Sequence, residues 1–551
     1  MPGDAMATVR SRCTLALEML GTCAVAGLAH TAIKITISWV KAKRMHRRIE
    51  QVPSGHYPSA GTFLGIVKDF KNNRRRLNDF MAEVTDGFGV SKLIGMANEP
   101  RHVWLMVRDP ACVKHFLKDA AEKYSKPGPG QNAFMHFLRV WLGDGIFTMR
   151  HGLGADDGGH GWITQRKIAA NIFSKANFQN NMGEVFIKKS HRLAALLEAP
   201  SSKGEAVDIQ GKFFGFTMDS IMQIFFGEEA DTLGGSGCAY GTAYDTAHRC
   251  VMEYLRPSMA QLTILSYLSW PLGGFGGIAW MAHGLFHPKY REFRRACRTL
   301  TSESDRLVRA CRADPRLMER KDLLALFVQA EEKQRFSNVY LRDMVLNFVI
   351  AGRDTTACLL SWLFYILTTN LEIQEELAAE IDARCPRGTT PTLKCLTATS
   401  MPYLNGVVYE TLRLYPPVPT DNKQAFVDDV LPDGTPVPKG AILMFLPYAM
   451  GRDSALYSEP KVVKPERWIP FVSPAPHEFP VFQAGPRICL GMDMAIFEAK
   501  IAVVALLQRY RFELLAGEQE KITYSSTLTM SVCNSPNQDS HSLWVVPHAR
   551  E

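Results

Sequence analysis

No G-x-G-x-x-G segment or other flavin-binding pattern occurs in the 551 residues, so the chain brings no dinucleotide or flavin site of its own. Its 12 cysteines form no C-x-x-C pair and no C-x-x-C-H stretch, which removes the usual zinc, dithiol and covalent-cofactor frameworks. Scattered in this way they read as ordinary buried thiols of a reducing compartment, with Cys489 standing apart. Charge of one sign is also scarce once it is located. The formal charge is +8, yet eight basic residues (Arg10, Arg12, Lys34, Lys41, Lys43, Arg44, Arg47, Arg48) and three acidic ones (Asp4, Glu18, Glu50) lie in residues 1–50, leaving +3 for the rest. A body so close to neutral gives no electrostatic reason to expect a nucleic-acid partner. Internal repeats and low-complexity tracts are missing too.

What is present begins with a chain 46% hydrophobic, able to bury a large core. Leu15 to Val40 is apolar and long enough to cross a bilayer, provided His30 and Lys34 sit near an interface. The cluster Lys41, Lys43, Arg44, Arg47 and Arg48 outweighs Arg10 and Arg12, so the positive-inside rule leaves everything after it in the cytosol. An acid-poor, Arg-bearing start of this kind equally fits an organelle-targeting segment, cleaved or retained, or a soluble amphipathic helix. Residues 1–50 are thus expected to be an anchor or targeting segment, residues 51–62 a stiff Pro/Gly linker, and residues 63–551 one large domain. Helical patterns dominate from Asn177 to Glu380, while Asp428-Asp-Val-Leu-Pro-Asp-Gly-Thr-Pro-Val-Pro-Lys-Gly440 reads as a hairpin. The expected class is mainly α with small β-sheets. His151 to Gly161, with Asp156 and Asp157, reads as a solvated surface loop rather than a metal site.

The chemistry concentrates in Phe482-Gln-Ala-Gly485-Pro-Arg487-Ile-Cys489-Leu-Gly491. A thiolate that approaches a flat macrocycle needs a loop without bulk, and Gly485 and Gly491 give that freedom on either side. Phe482 can cover the sulfur from water, and Arg487 offers a fixed guanidinium to a carboxylate. Ala495, Phe497, Ala499, Ile501, Val504 and Leu507 then start a helix whose N-terminus lies beside Cys489 and is expected to lower the thiol pKa.

This F-x-x-G-x-R-x-C-x-G pattern resembles the haem-binding signature of the cytochrome P-450 monooxygenases. The resemblance implies that Cys489 ligates the iron of haem b (iron protoporphyrin IX), which lies between long helices of a cytochrome P-450 fold. Three further motifs follow the family's order. Ala351-Gly-Arg-Asp354-Thr355-Thr356, in an apolar pattern from Val339 to about Thr368, matches A-G-x-D-T-T and implies that the helix opens locally, letting Asp354 and Thr355 pass protons to bound O2. A kinked helix with satisfied polar residues is the alternative. Glu410-Thr-Leu-Arg413 resembles the E-x-x-R pair that meets the Arg of a P-E-R-W segment, here Arg467, and implies a structural network under the haem loop. Trp162 and Arg166, at W-x-x-x-R spacing, resemble the propionate donors on the helix along the haem edge.

The likeness covers roughly Pro53 to Val546, and its finer wording is similar to the fatty-acid ω-hydroxylases: Leu142-Gly-Asp-Gly-Ile-Phe147, Leu414-Tyr-Pro-Pro-Val-Pro419 and Pro447-Tyr-Ala-Met-Gly-Arg452. It departs in the longer Gly-rich loop after Phe147, in Met492 where a Lys is common, and in Ser531 to His548. The implied partners are a separate NADPH-dependent reductase, O2, a lipophilic small-molecule substrate and a membrane, with no nucleic acid. The implied location is the endoplasmic reticulum with a cytosolic catalytic domain, or alternatively a plastid or other organelle. Two other functions share these motifs in part: a haem-thiolate isomerase or dehydratase of lipid peroxides, and a non-catalytic haem- or lipid-binding protein.

Overall fold

A 32-residue helix, Asn338–Thr369, is the axis about which the chain folds. It starts where the Ser337 side chain accepts the Tyr340 N–H, and from Leu341 on it is buried on nearly every face, as its all-round apolar sequence requires. In the computed structural model the described residues are 33, 36, 40, 44, 45, 47–58, 63–93, 103–127, 133–154, 160–173, 182–235, 239–254, 288–332, 335–525, 528–535 and 540–550. Most of the expected membrane or targeting segment, Leu15 to Val40, lies outside them, as do residues 155–159 of the Gly-rich stretch. Among the described residues no single helix is long and apolar enough to cross a membrane.

Helix Ile209–Phe226 packs along the central helix. Gly352 makes that approach possible: a Cβ there would stand 2.2 Å from Ile221 Cδ1. Helices Ala239–Tyr254 and Pro288–Ala313 pack on each other, and the second also packs on the central helix. The helix after Cys489, Met492–Leu507, is buried almost throughout from Phe497 to Leu507, so it is a core helix rather than an amphipathic one.

The sheets are small. The largest has five strands in the order Val90–Leu93, Trp104–Val107, Ile442–Phe445, Asp421–Ala425, Tyr124–Ser125. Only the pair Trp104↔Ile442 to Val107↔Phe445 is parallel; the other three pairings are antiparallel. The expected hairpin forms, with Asp429↔Val437 and Val430↔Pro436 in register. The α+β class expected from sequence is the class observed.

One expectation changes at the start of the body. Val52 and Tyr57 are buried, the Lys92 N–H donates to the Pro53 carbonyl at 2.8 Å, and Ser54 bridges Lys92 in parallel. Ile49 is buried as well, in the cluster that includes Val52 and Val90. Residues 49–57 therefore belong to the sheet edge and not to the expected stiff linker, whose residues 59–62 lie outside the described residues, because their apolar side chains and extended backbone find partners there.

Candidate active site

One apolar cavity, of about 230 Å³, lies between the central helix, helix His160–Ile172 and the Cys489 loop. Phe173, Phe225, Phe348 and Leu359 are among its walls, and Thr355, Phe482, Cys489 and Gly491 also face it.

The Cys489 loop is built by two constraints. Gly485 has φ +63, and a Cβ there would lie 2.0 Å from the Leu117 carbonyl oxygen, so glycine alone fits. The Cys489 N–H donates to the Phe482 carbonyl at 2.8 Å, closing the loop on itself. Gly491 has an ordinary φ of −93°, and its lack of a side chain leaves space between Phe173 and the sulfur. Cys489 sits deep in the fold yet is solvent-accessible, because its thiol opens onto the cavity rather than the outer surface. Burial pushes the thiol up, against the Gly491 backbone N–H and Arg166, which favour the thiolate. Desolvation thus outweighs the lowering expected from the helix end.

Cations gather beside this thiol. Arg166 donates from Nη2 to the Ile488 carbonyl at 2.6 Å and stands 5.7 Å from the Trp162 ring. Arg487 lies 4.6 Å over the same ring, donating from Nε to His151 Nδ1 at 2.9 Å and from Nη2 to the Met149 carbonyl at 2.6 Å. Burial and Arg166 lower the Arg487 guanidinium, with Asp421 opposing. His151 is pushed down to about 3 by burial and Arg487, so it is the neutral acceptor.

Lys126, His151, Asp421 and Lys423 were not legible as site residues. Lys126 and Asp421 pair at 2.8 Å on the cavity wall, and Lys423 lies 3.1 Å from the same carboxylate. Burial alone would raise the Asp421 carboxyl, but the two lysines hold it below the usual range. The His151 end of the Gly-rich stretch is correspondingly buried, not a solvated loop.

The acid and alcohol of the central helix do not share a face. Thr355 lines the cavity, with Oγ1 donating to the Ala351 carbonyl at 2.7 Å. Asp354 is fully buried on another side, accepting from Tyr244 at 2.9 Å and from Arg353 at 3.0 Å. The expected local opening is absent: the helix runs unbroken from Asn338 to Thr369, and Thr355 returns its hydroxyl to its own helix.

Glu410, Arg413 and Arg467 do meet. Arg413 binds Glu410 through two nitrogens at 2.6 and 2.9 Å, both side chains being fully buried, and Arg467 Nε stands 3.5 Å from the same carboxylate. The Trp468 indole N–H and Lys464 backbone N–H complete the carboxylate at 2.9 Å each. Arg413 turns its remaining donors to the carbonyls of Gly451, Pro460 and Val462.

Comparison with known proteins agrees with this architecture. Residues 56–541 match the family model described as Cytochrome P450. Cytochrome P450 704C1 of Pinus taeda is 30% identical over 89% of this chain and 92% of that protein. Cytochrome P450 CYP94D108 of Paris polyphylla is 29% identical over 84% of this chain and 88% of its own length. Cytochrome P450 94A1 of Vicia sativa is 27% identical over 83% and 84%.

Proposed function

This chain belongs to the cytochrome P450 family and is a haem-thiolate monooxygenase, and on that premise we propose that it hydroxylates a fatty acid or related lipid near its chain end. The observation that carries the proposal is an accessible thiol, Cys489, on one wall of an apolar cavity whose other walls include Thr355 and four bulky apolar side chains. Such walls suit an alkyl chain and offer it few polar contacts. The likeness of Leu142–Phe147 and Leu414–Pro419 to fatty-acid ω-hydroxylases narrows the substrate class further.

The residues present fit haem b. Arg166, Arg487 and Lys126 bring three cations to the cavity against the single carboxylate of Asp421, an excess suited to the two propionates. When bound, the haem supplies an iron whose thiolate ligand favours O–O cleavage. Cys489 is the ligand, Gly491 leaves the sulfur unobstructed, and Phe482 shields it. Arg487, Trp162 and Arg166 hold the propionate edge, while Glu410, Arg413 and Arg467 fix the chain that supports the loop. Thr355 presents a hydroxyl to the cavity and Asp354 supplies it with protons from behind.

Electrons come from NADPH through a separate reductase. The segment before Ile49 anchors the protein to the endoplasmic reticulum with its catalytic domain in the cytosol. The test is turnover of a panel of fatty acids, fatty-acid hydroperoxides, sterols and terpenoids with O2 and NADPH, with and without reductase. Terminal or near-terminal hydroxylation of fatty acids that requires reductase supports the reading. Conversion of lipid peroxides without reductase would establish the isomerase alternative.

A further inference from the structure

Asp354 is cut off from the cavity but not from the surface. Its Oδ2 accepts from the Tyr244 hydroxyl on helix Ala239–Tyr254, and one turn later on that helix His248 Nδ1 stands 3.9 Å from the same oxygen. The His248 side chain is 19% exposed, so one edge of it meets solvent, while its Nε2 is buried without a hydrogen-bond partner. The ring lies over Trp141, with centroids 5.9 Å apart and planes 20° apart. On the other side, Arg353 donates to Asp354 Oδ1 at 3.0 Å and reaches the exposed Asp245 at 2.6 Å. Its guanidinium lies between the Phe214 and Tyr244 rings, 4.8 Å from each.

We propose that His248 is the proton entry to Asp354, and that Tyr244 and Arg353 clamp the carboxylate in the position where it is loaded. This rests on the reading that Asp354 and Thr355 deliver protons to the cavity. The proton leaves Nδ1 of protonated His248 and binds Asp354 Oδ2; Nε2, which is buried, keeps its hydrogen, and Nδ1 takes the next proton from water at the exposed edge of the ring. Since 3.9 Å exceeds a hydrogen bond, the transfer uses a small ring rotation or one bridging water. A protonated Asp354 is neutral, so its ion pair with Arg353 and its bond from Tyr244 both weaken. The freed carboxyl group can then turn about its own side-chain bonds toward the Thr355 side.

The groups facing His248 are Asp354 and Arg353 on the central helix and Tyr244 and Asp245 on its own. Burial lowers the imidazole and Arg353 adds to that, while Asp354 and Asp245 oppose it. Burial and Asp354 push the Tyr244 phenol up, so it remains a donor.

Two measurements on the full-length holoenzyme test the relay. The first is deuterium uptake at the imidazole carbon of His248, followed against pH by mass spectrometry. Asp354→Asn removes the carboxylate that favours the imidazolium and should lower the His248 midpoint by about one pH unit. An unmoved midpoint overturns the coupling. The second is turnover of His248→Gln, expected to slow at least about 10-fold with an enlarged solvent isotope effect and an unchanged melting temperature. Wild-type rate and isotope effect in His248→Gln, with Asp354→Asn still slow, would overturn the entry and leave the acid's role intact. Wild-type behaviour in both variants would remove the underlying reading as well.

Discussion

Replacing Thr355 by alanine separates a catalytic role from a structural one. The substitution deletes one hydroxyl, whose bond to the Ala351 carbonyl at 2.7 Å has a net worth of about 1 kcal/mol. Alanine's better helix propensity returns roughly 0.5 kcal/mol. A net loss under about 1 kcal/mol leaves a protein stable by ~5–15 kcal/mol essentially all folded. Loss of a group that assists proton transfer costs far more, about 10² to 10⁴ in rate. The assay is hydroxylated product divided by NADPH consumed, at saturating substrate with reductase in excess. Folded fraction cancels from that ratio, because both quantities are counted on folded enzyme. In Thr355→Ala the ratio should fall at least about 10-fold while NADPH oxidation continues and hydrogen peroxide accumulates. An unchanged ratio refutes the assignment of Thr355 to proton delivery.

Glu410→Ala leaves the Arg413 guanidinium fully buried with only carbonyl partners, which should destabilise the fold by about 3–5 kcal/mol. Chemical denaturation and haem retention check this, and a loss below about 1 kcal/mol would show that the pair does not hold the loop region. Removing residues 1–43 should release the protein from membranes with haem incorporation intact, whereas removal through residue 58 also strips Ile49, Val52 and Tyr57 from the core and should abolish folding. Fractionation and absorbance read both truncations; a folded 59–551 protein would contradict the packing of that segment.

The Cys489 loop was legible because its demands are local: a left-handed glycine, a short loop and a following helix within ten residues. The helical body and the Asp429 to Val437 hairpin were legible for the same reason. The side of the helix on which Asp354 lies could have been read from periodicity. Neighbours on an unbroken helix diverge by about 100°, and Asp354 falls on the side of Thr355 away from Gly352 and Thr356, which line the cavity. His151, Lys126 and Asp421 were hidden by distance along the chain, the His151 contact with Arg487 spanning 336 positions. No local pattern announces a buried histidine at the edge of a glycine-rich stretch. The linker expectation failed because Pro and Gly exclude helix but not pairing at a sheet edge, where Ser54 and Pro53 lie beside Lys92.

The central claim is that the Cys489 sulfur is the iron ligand, and the reduced carbonyl spectrum of Cys489→Ser and Cys489→His tests it most directly. Thiolate donation gives that complex its strongly red-shifted Soret band. Wild-type protein should show the band and both variants should lack it, at matched folding judged by circular dichroism. Persistence of the shifted band in either variant would mean that another residue ligates the iron, and the account built on Cys489 would fall.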